Sequence, residues 1–102
     1  MIARYWRGWT TPQDGDAHEA LLSNKVLPGL RGIRGYRDGY VLRSDDPAES
    51  EFVVINLFDS LETVKVFAAS DYRTPVFEPE ARALLSRIDP TACHYEVRAS
   101  TV

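Results

Sequence analysis

Residues 52–58 read FVVINLF, with Asn56 the one polar residue among them. Strand side chains alternate, so Phe52, Val54, Asn56 and Phe58 face one way and Val53, Ile55 and Leu57 the other. A strand apolar on both sides needs both sides covered. Apolar residues are 44% of a 102-residue chain, enough for one domain, residues 1–102, with one core. The question is what covers the second face.

The flanking segments set the order of elements. IARYWRGWT, residues 2–10, is aromatic and β-branched, and reads as a strand. TPQDGDAHEALLSNKVL reads as a helix with Ala17, Leu21 or Leu22, and Val26 inward, His18 outward, and Pro28-Gly29 as its stop. PGLRGIRGYRDG connects it to a strand at 39–43, and SDDPAES, residues 44–50, turns the chain back into the apolar strand. Asp59 or Ser60 caps the next helix, whose Leu61, Val64, Phe67 and Ala68 form one stripe. SDYRTPVFEP breaks it. Pro79 opens a second helical piece, EARALLSRI, with Ala81, Leu84, Leu85 and Ile88 on one face, and ACHYEV at 92–97 closes the chain as a strand.

The order β-α-β-β-α(α)-β is the α+β, ferredoxin-like arrangement: a four-stranded antiparallel sheet with helices on one face. One chain's helices cover one face only. The cover expected for the other is the sheet of a second copy, in a two-fold dimer.

Other classes are disfavoured. A net charge of −3 lacks the basic stripe of a nucleic-acid binder. GLRGIRG is neither a dinucleotide fingerprint nor a P-loop, and EFVVINLF lacks the basic residue and glycine of an RNA-recognition strand. No apolar run approaches the roughly 18 residues of a membrane helix, and MIARYWRGWT lacks a secretory signal's apolar core. A single cysteine, Cys93, excludes an internal disulfide and suits the cytoplasm. Cys93 and His94 point to opposite faces of their strand, so no metal constellation is expected.

MIARYWRGWT, VLPGLRGIRGYRDGYVLR, EFVVINLFDSLETVKVFA, PEARALLSRID and HYEV together resemble the antibiotic-biosynthesis-monooxygenase-like domains of the dimeric α/β-barrel superfamily. The resemblance spans essentially the whole chain. It implies a sheet-to-sheet homodimer with a ligand cavity between sheet and helices. Haem-degrading members carry a Trp where this chain has Phe58 and a haem-ligating His where it has Phe77, so haem is not expected. Cofactor-free members oxidise a phenol or anthrone whose anion gives an electron directly to oxygen. They need an apolar pocket and polar groups that hold the phenolic oxygen.

The resemblance therefore implies a cofactor-independent monooxygenase acting on a small aromatic or quinol-type substrate. The alternative is a non-catalytic homodimer that binds such a molecule. A third possibility is an isomerase or dehydratase that uses His94 as base.

Asn56 is the candidate donor to a substrate oxygen, or else a structural amide bonded to a neighbour. His94 is the candidate base, with an ordinary pKa near 6.5. Trp6, Arg4, Phe58, Phe67, Tyr72 and Phe77 are the candidate substrate contacts. Arg4 would bind an anionic oxygen, and Tyr72 or Phe77 would close the cavity.

Overall fold

The computed structural model describes residues 1–101. Strand β1 (Ile2–Thr10) lies inside the sheet, and β3 (Ser50–Phe58) pairs antiparallel along its full length, Arg4 opposite Asn56 and Trp6 opposite Val54. β2 (Tyr36–Asp45) forms the outer neighbour of β3. The other edge of β1 is shared by two short antiparallel strands. β4 (Leu85–Ile88) takes Gly8–Thr10 and β5 (Cys93–Glu96) takes Ile2–Tyr5. The sheet order is β2-β3-β1-β4, with β5 also on β1, so the fold is α+β and ferredoxin-like.

Three expectations need correction here. The sheet has five strands instead of four, because the helix opened by Pro79 ends at Leu84. Leu85 and Ile88 have the spacing of a helical face, yet the bare edge of β1 needs hydrogen-bond partners and claims them for β4. Gly8 makes room, since a Cβ there would sit 2.8 Å from Leu85 Cδ2.

The first helix also runs past Pro28-Gly29. α1 (Gly15–Leu21) continues through a π-helical turn (Leu22–Val26) into α2 (Leu27–Leu30). The Leu27 N–H bonds the Leu22 carbonyl, and Pro28 sits in the first turn of α2, where its missing N–H costs nothing. Strand β2 likewise begins three residues earlier than the 39–43 reading and ends two later, with an irregularity between Tyr36 and Asp38.

α3 (Leu61–Ala68) starts as the sequence requires. Ser60 Oγ accepts from the Thr63 N–H at 3.3 Å. Phe58, Val64 and Ala68 form the buried cluster beneath it. Phe58 is edge-on to Tyr36, with centroids 5.4 Å apart, and stacks on Phe67 at 6.0 Å. The entry loop turns at Gly35 with φ +89°, and its carbonyl accepts from the Asp59 N–H at 2.8 Å. α4 (Pro79–Leu84) packs beside α1.

Every second residue of β3 thus points at the helices. Phe52 meets α1, Val54 and Asn56 line a cavity, and Phe58 lies under α3. On the other face Tyr5, Ile55 and Tyr40 form one cross-strand row, and Val53 and Leu42 pair beside Arg7. No helix of the described residues covers them, and Tyr40, Leu42 and Tyr95 are about half exposed.

Candidate functional site

The cavity has a volume of about 350 Å³ and lies between the sheet and the helical layer. Register builds its floor. Arg4 and Trp6 on β1 share a face, and their Cα partners on β3 are Asn56 and Val54. Phe67 of α3 and Phe77 of the 69–78 segment add aromatic walls. Trp6 is fixed by donating from Nε1 to the Asp89 carbonyl at 2.7 Å, and its ring lies 5.8 Å from that of Phe77.

One end of the cavity is polar. Asn56 Oδ1 accepts from the Tyr36 hydroxyl at 2.9 Å, leaving its NH₂ group without a partner among the described residues. Burial raises the Tyr36 pKa, so this phenol stays a neutral donor. Gly39 is the Cα partner of Asn56, and the pair needs its missing side chain, because a Cβ would come within 2.6 Å of Oδ1.

Arg4 is 4% exposed, and among the described residues no carboxylate pairs with it. Its Nη1 donates to the Tyr72 carbonyl and lies 3.0 Å from His94 Nε2, while Nη2 donates to the Thr74 carbonyl at 3.0 Å. A guanidinium has five N–H donors, so Nε–H and one Nη–H remain unpartnered among the described residues. Burial lowers the Arg4 pKa to about 10, which leaves it charged at neutral pH. A buried cation held only by neutral groups is several kcal/mol short of compensation.

The remaining sequence candidates lie elsewhere. Phe58 is wholly buried in the α3 cluster and does not reach the cavity. Tyr72 and His94 stand behind Arg4, their rings edge-on at 5.1 Å. The His94 pKa is lowered by burial first, then by Arg4 and Arg73, so its neutral Nε2 serves as acceptor for the guanidinium.

His18 is the correction on the helix. Expected outward, it is 2% exposed, lines the cavity and packs edge-on against Phe52 at 4.8 Å. Its Nδ1 is buried without a partner, and burial lowers its pKa, so the ring is neutral. His18, Leu22 and Val26 recur at i, i+4 and i+8 and line the cavity together, a spacing visible in the sequence. At the rim, Lys25 Nζ bonds Glu78 Oε2 at 2.8 Å and also contacts Glu80. The rim thus sets one ammonium against two carboxylates, and Arg4 is left on the wall as the charge with no ion-pair partner among the described residues. Among the described residues no three His, Cys, Asp or Glu side chains gather as a metal site.

No family model matches the chain, and no curated protein matches it by sequence. Solved structures do. Rv0793 from Mycobacterium tuberculosis superposes with TM-score 0.69 at 19% identity, over 99% of this chain and 98% of that one. A protein of Deinococcus radiodurans, provisionally named an antibiotic biosynthesis monooxygenase, matches with TM-score 0.66 at 14% identity, over 100% and 97%. One of the same provisional name from Chloroflexus aurantiacus J-10-fl matches with TM-score 0.62 at 17% identity, over 99% and 96%. The chain therefore has the fold of the antibiotic-biosynthesis-monooxygenase-like domains.

Proposed function

We propose that this protein is a cytoplasmic, cofactor-independent monooxygenase of a small aromatic or quinol-type molecule, bound as its oxyanion against Arg4 and Asn56. The observation that carries this reading is Arg4 itself. A buried guanidinium with two unpartnered N–H groups, beside an unpartnered amide and an aromatic-lined cavity, is complementary to a phenolate or enolate.

Stabilising the anion lowers the phenol's pKa and makes it a better electron donor to O₂. A naphthol-type substrate then loses its O–H hydrogen and the hydrogen on its para carbon. One oxygen atom becomes the new carbonyl and the other leaves as water, so O₂ takes up all four electrons. Trp6, Phe67 and Phe77 hold the ring away from water. His94 serves through Arg4, by accepting from its Nη1.

One observation favours the alternative of a non-catalytic binding protein. The Arg4–Asn56 end offers donors and no proton acceptor to the ligand, which suits capture of an anion already formed. Oxygen consumption by the purified protein, without added metal, flavin or haem, separates the two across anthrones, naphthols and hydroquinones. The monooxygenase gives uptake above autoxidation that falls at least tenfold in Asn56→Ala and Arg4→Met. Binding without uptake supports the alternative, and neither binding nor uptake refutes both.

The partner in this reading is a second copy seated on the outer sheet face. Tyr40, Leu42 and Tyr95 are half exposed there beside Val53 and Ile55, an apolar face that a monomer would leave in water. Light scattering at micromolar concentration should give twice the chain mass, and Leu42→Glu should give the monomer. A monomeric wild type would refute the dimer.

A further inference from the structure

His18 gives the cavity a second polar end, opposite the one used above. Its ring packs on Phe52, and Phe52 and Asn56 are four residues apart on one strand, about 13 Å. Between them the floor is Val54 and its cross-strand partner Trp6, both apolar and both on the cavity wall. The cavity is therefore a bar with an oxyanion site at one end, an apolar middle and an imidazole at the other.

The imidazole is short of partners. Nδ1 is sealed and unbonded, and no hydrogen bond reaches Nε2 from the described residues. Nε2 is the nitrogen that keeps access to the cavity. A sealed lone pair is tolerated better than a sealed N–H, so the ring proton belongs on Nε2, as a donor facing the cavity.

Resting on the reading of an aromatic oxyanion ligand, we propose that the cavity selects a two-ended one. Its ionised oxygen meets Arg4 and Asn56, two or three fused rings lie on Trp6 and Val54, and a second oxygen, hydroxyl or carbonyl, accepts from His18 Nε2. His18 is then the residue that measures ligand length and polarity at the far end. Single-ring phenols are too short to engage both ends.

The test is anaerobic binding, so that no turnover intervenes, of 2-naphthol and 2,6-dihydroxynaphthalene by fluorescence titration. The second hydroxyl should strengthen binding to the wild type about tenfold, the worth of one hydrogen bond to an otherwise unpaired buried donor. His18→Phe keeps an aromatic ring against Phe52 and should erase that preference, bringing the ratio of the two affinities to about one. His18→Gln, which keeps an N–H donor, should retain part of it. Equal affinity of the two ligands for the wild type overturns the His18 assignment while leaving the Arg4–Asn56 end intact. A preference that survives in His18→Phe overturns it as well. If neither compound binds, or if Arg4→Met binds both as well as wild type, the oxyanion reading itself fails.

Discussion

Gly39→Ala tests how tightly the polar end of the cavity is built. Gly39 lies on β2 directly opposite Asn56, and a methyl group there would fall on the Tyr36 hydroxyl, 2.6 Å from Asn56 Oδ1 and 3.1 Å from Leu27 Cδ2. The hydroxyl and amide can make way only by giving up their 2.9 Å hydrogen bond. Overpacking costs about 1–3 kcal/mol. The lost hydrogen bond adds about 1 kcal/mol. Replacing a strand glycine by alanine returns about 0.5–1 kcal/mol of backbone entropy. The balance is a loss of about 1–3 kcal/mol. At about 4–8 °C per kcal/mol for a domain of this size, Tm should fall by about 5–20 °C.

Urea denaturation of the four proteins of a double-mutant cycle with Tyr36→Phe measures the coupling. Removing the hydroxyl gives the methyl group space, so Gly39→Ala should cost at least about 1 kcal/mol less in the Tyr36→Phe background. Two results would refute the reasoning. One is a Gly39→Ala protein as stable as wild type or more so, and the other is an unchanged cost in the Tyr36→Phe background.

Lowering the pH should weaken the fold through the two histidines. Both have folded-state pKa values below the ordinary 6.5, His18 through burial and His94 through burial and then its arginine neighbours. Their neutral forms are favoured in the folded state, so the stability they contribute is whole above about pH 6.5 and is lost as pH falls below it. Urea midpoints should be flat from pH 8 to 7 and decline toward pH 5, less steeply in His18→Phe; a flat profile to pH 5 contradicts this. Phe58→Ala, at a position with no exposure, should cost about 3–5 kcal/mol in equilibrium denaturation, and a loss under about 1 kcal/mol would contradict the packing described. Ala69 ends α3 at φ +65°, a conformation that favours glycine. Ala69→Gly should therefore raise stability by about 1 kcal/mol, read as a higher urea midpoint.

Much of the framework is local, and for that reason legible in the chain. The alternation over 52–58 puts Phe52, Val54, Asn56 and Phe58 on one face whatever the partner strand. Asp46, Pro47 and Ser50 mark the hairpin, while Ser60 and Pro79 mark helix starts through backbone chemistry of a few neighbouring residues. Those signals suffice for the order of every element except β4, and that order for the ferredoxin-like arrangement. Strand parity turned Asn56 toward the helix layer, whereas Arg4, Trp6 and Phe77 joined it through the resemblance to the antibiotic-biosynthesis-monooxygenase-like domains, which implies a cavity between sheet and helices.

What the sequence left open depends on pairings between distant residues. EARALLSRI has a helical face from end to end, and only the unfilled edge of β1 turns Leu85–Ile88 into a strand. Pro28 reads as a stop until the π-helical turn before it removes the need for its N–H. His18 shares the Leu22–Val26 face, yet its burial is decided by Phe52, thirty-four positions away in the chain. Above all, a lone Arg4 in a strand says nothing about its charge balance. That follows from the absence of a carboxylate among the described residues around it, and from the carbonyls of a segment some seventy residues distant that hold it in place. Local periodicity decides which face a side chain takes, but compensation of a buried charge is a property of the whole packed neighbourhood, and only the tertiary structure assembles it.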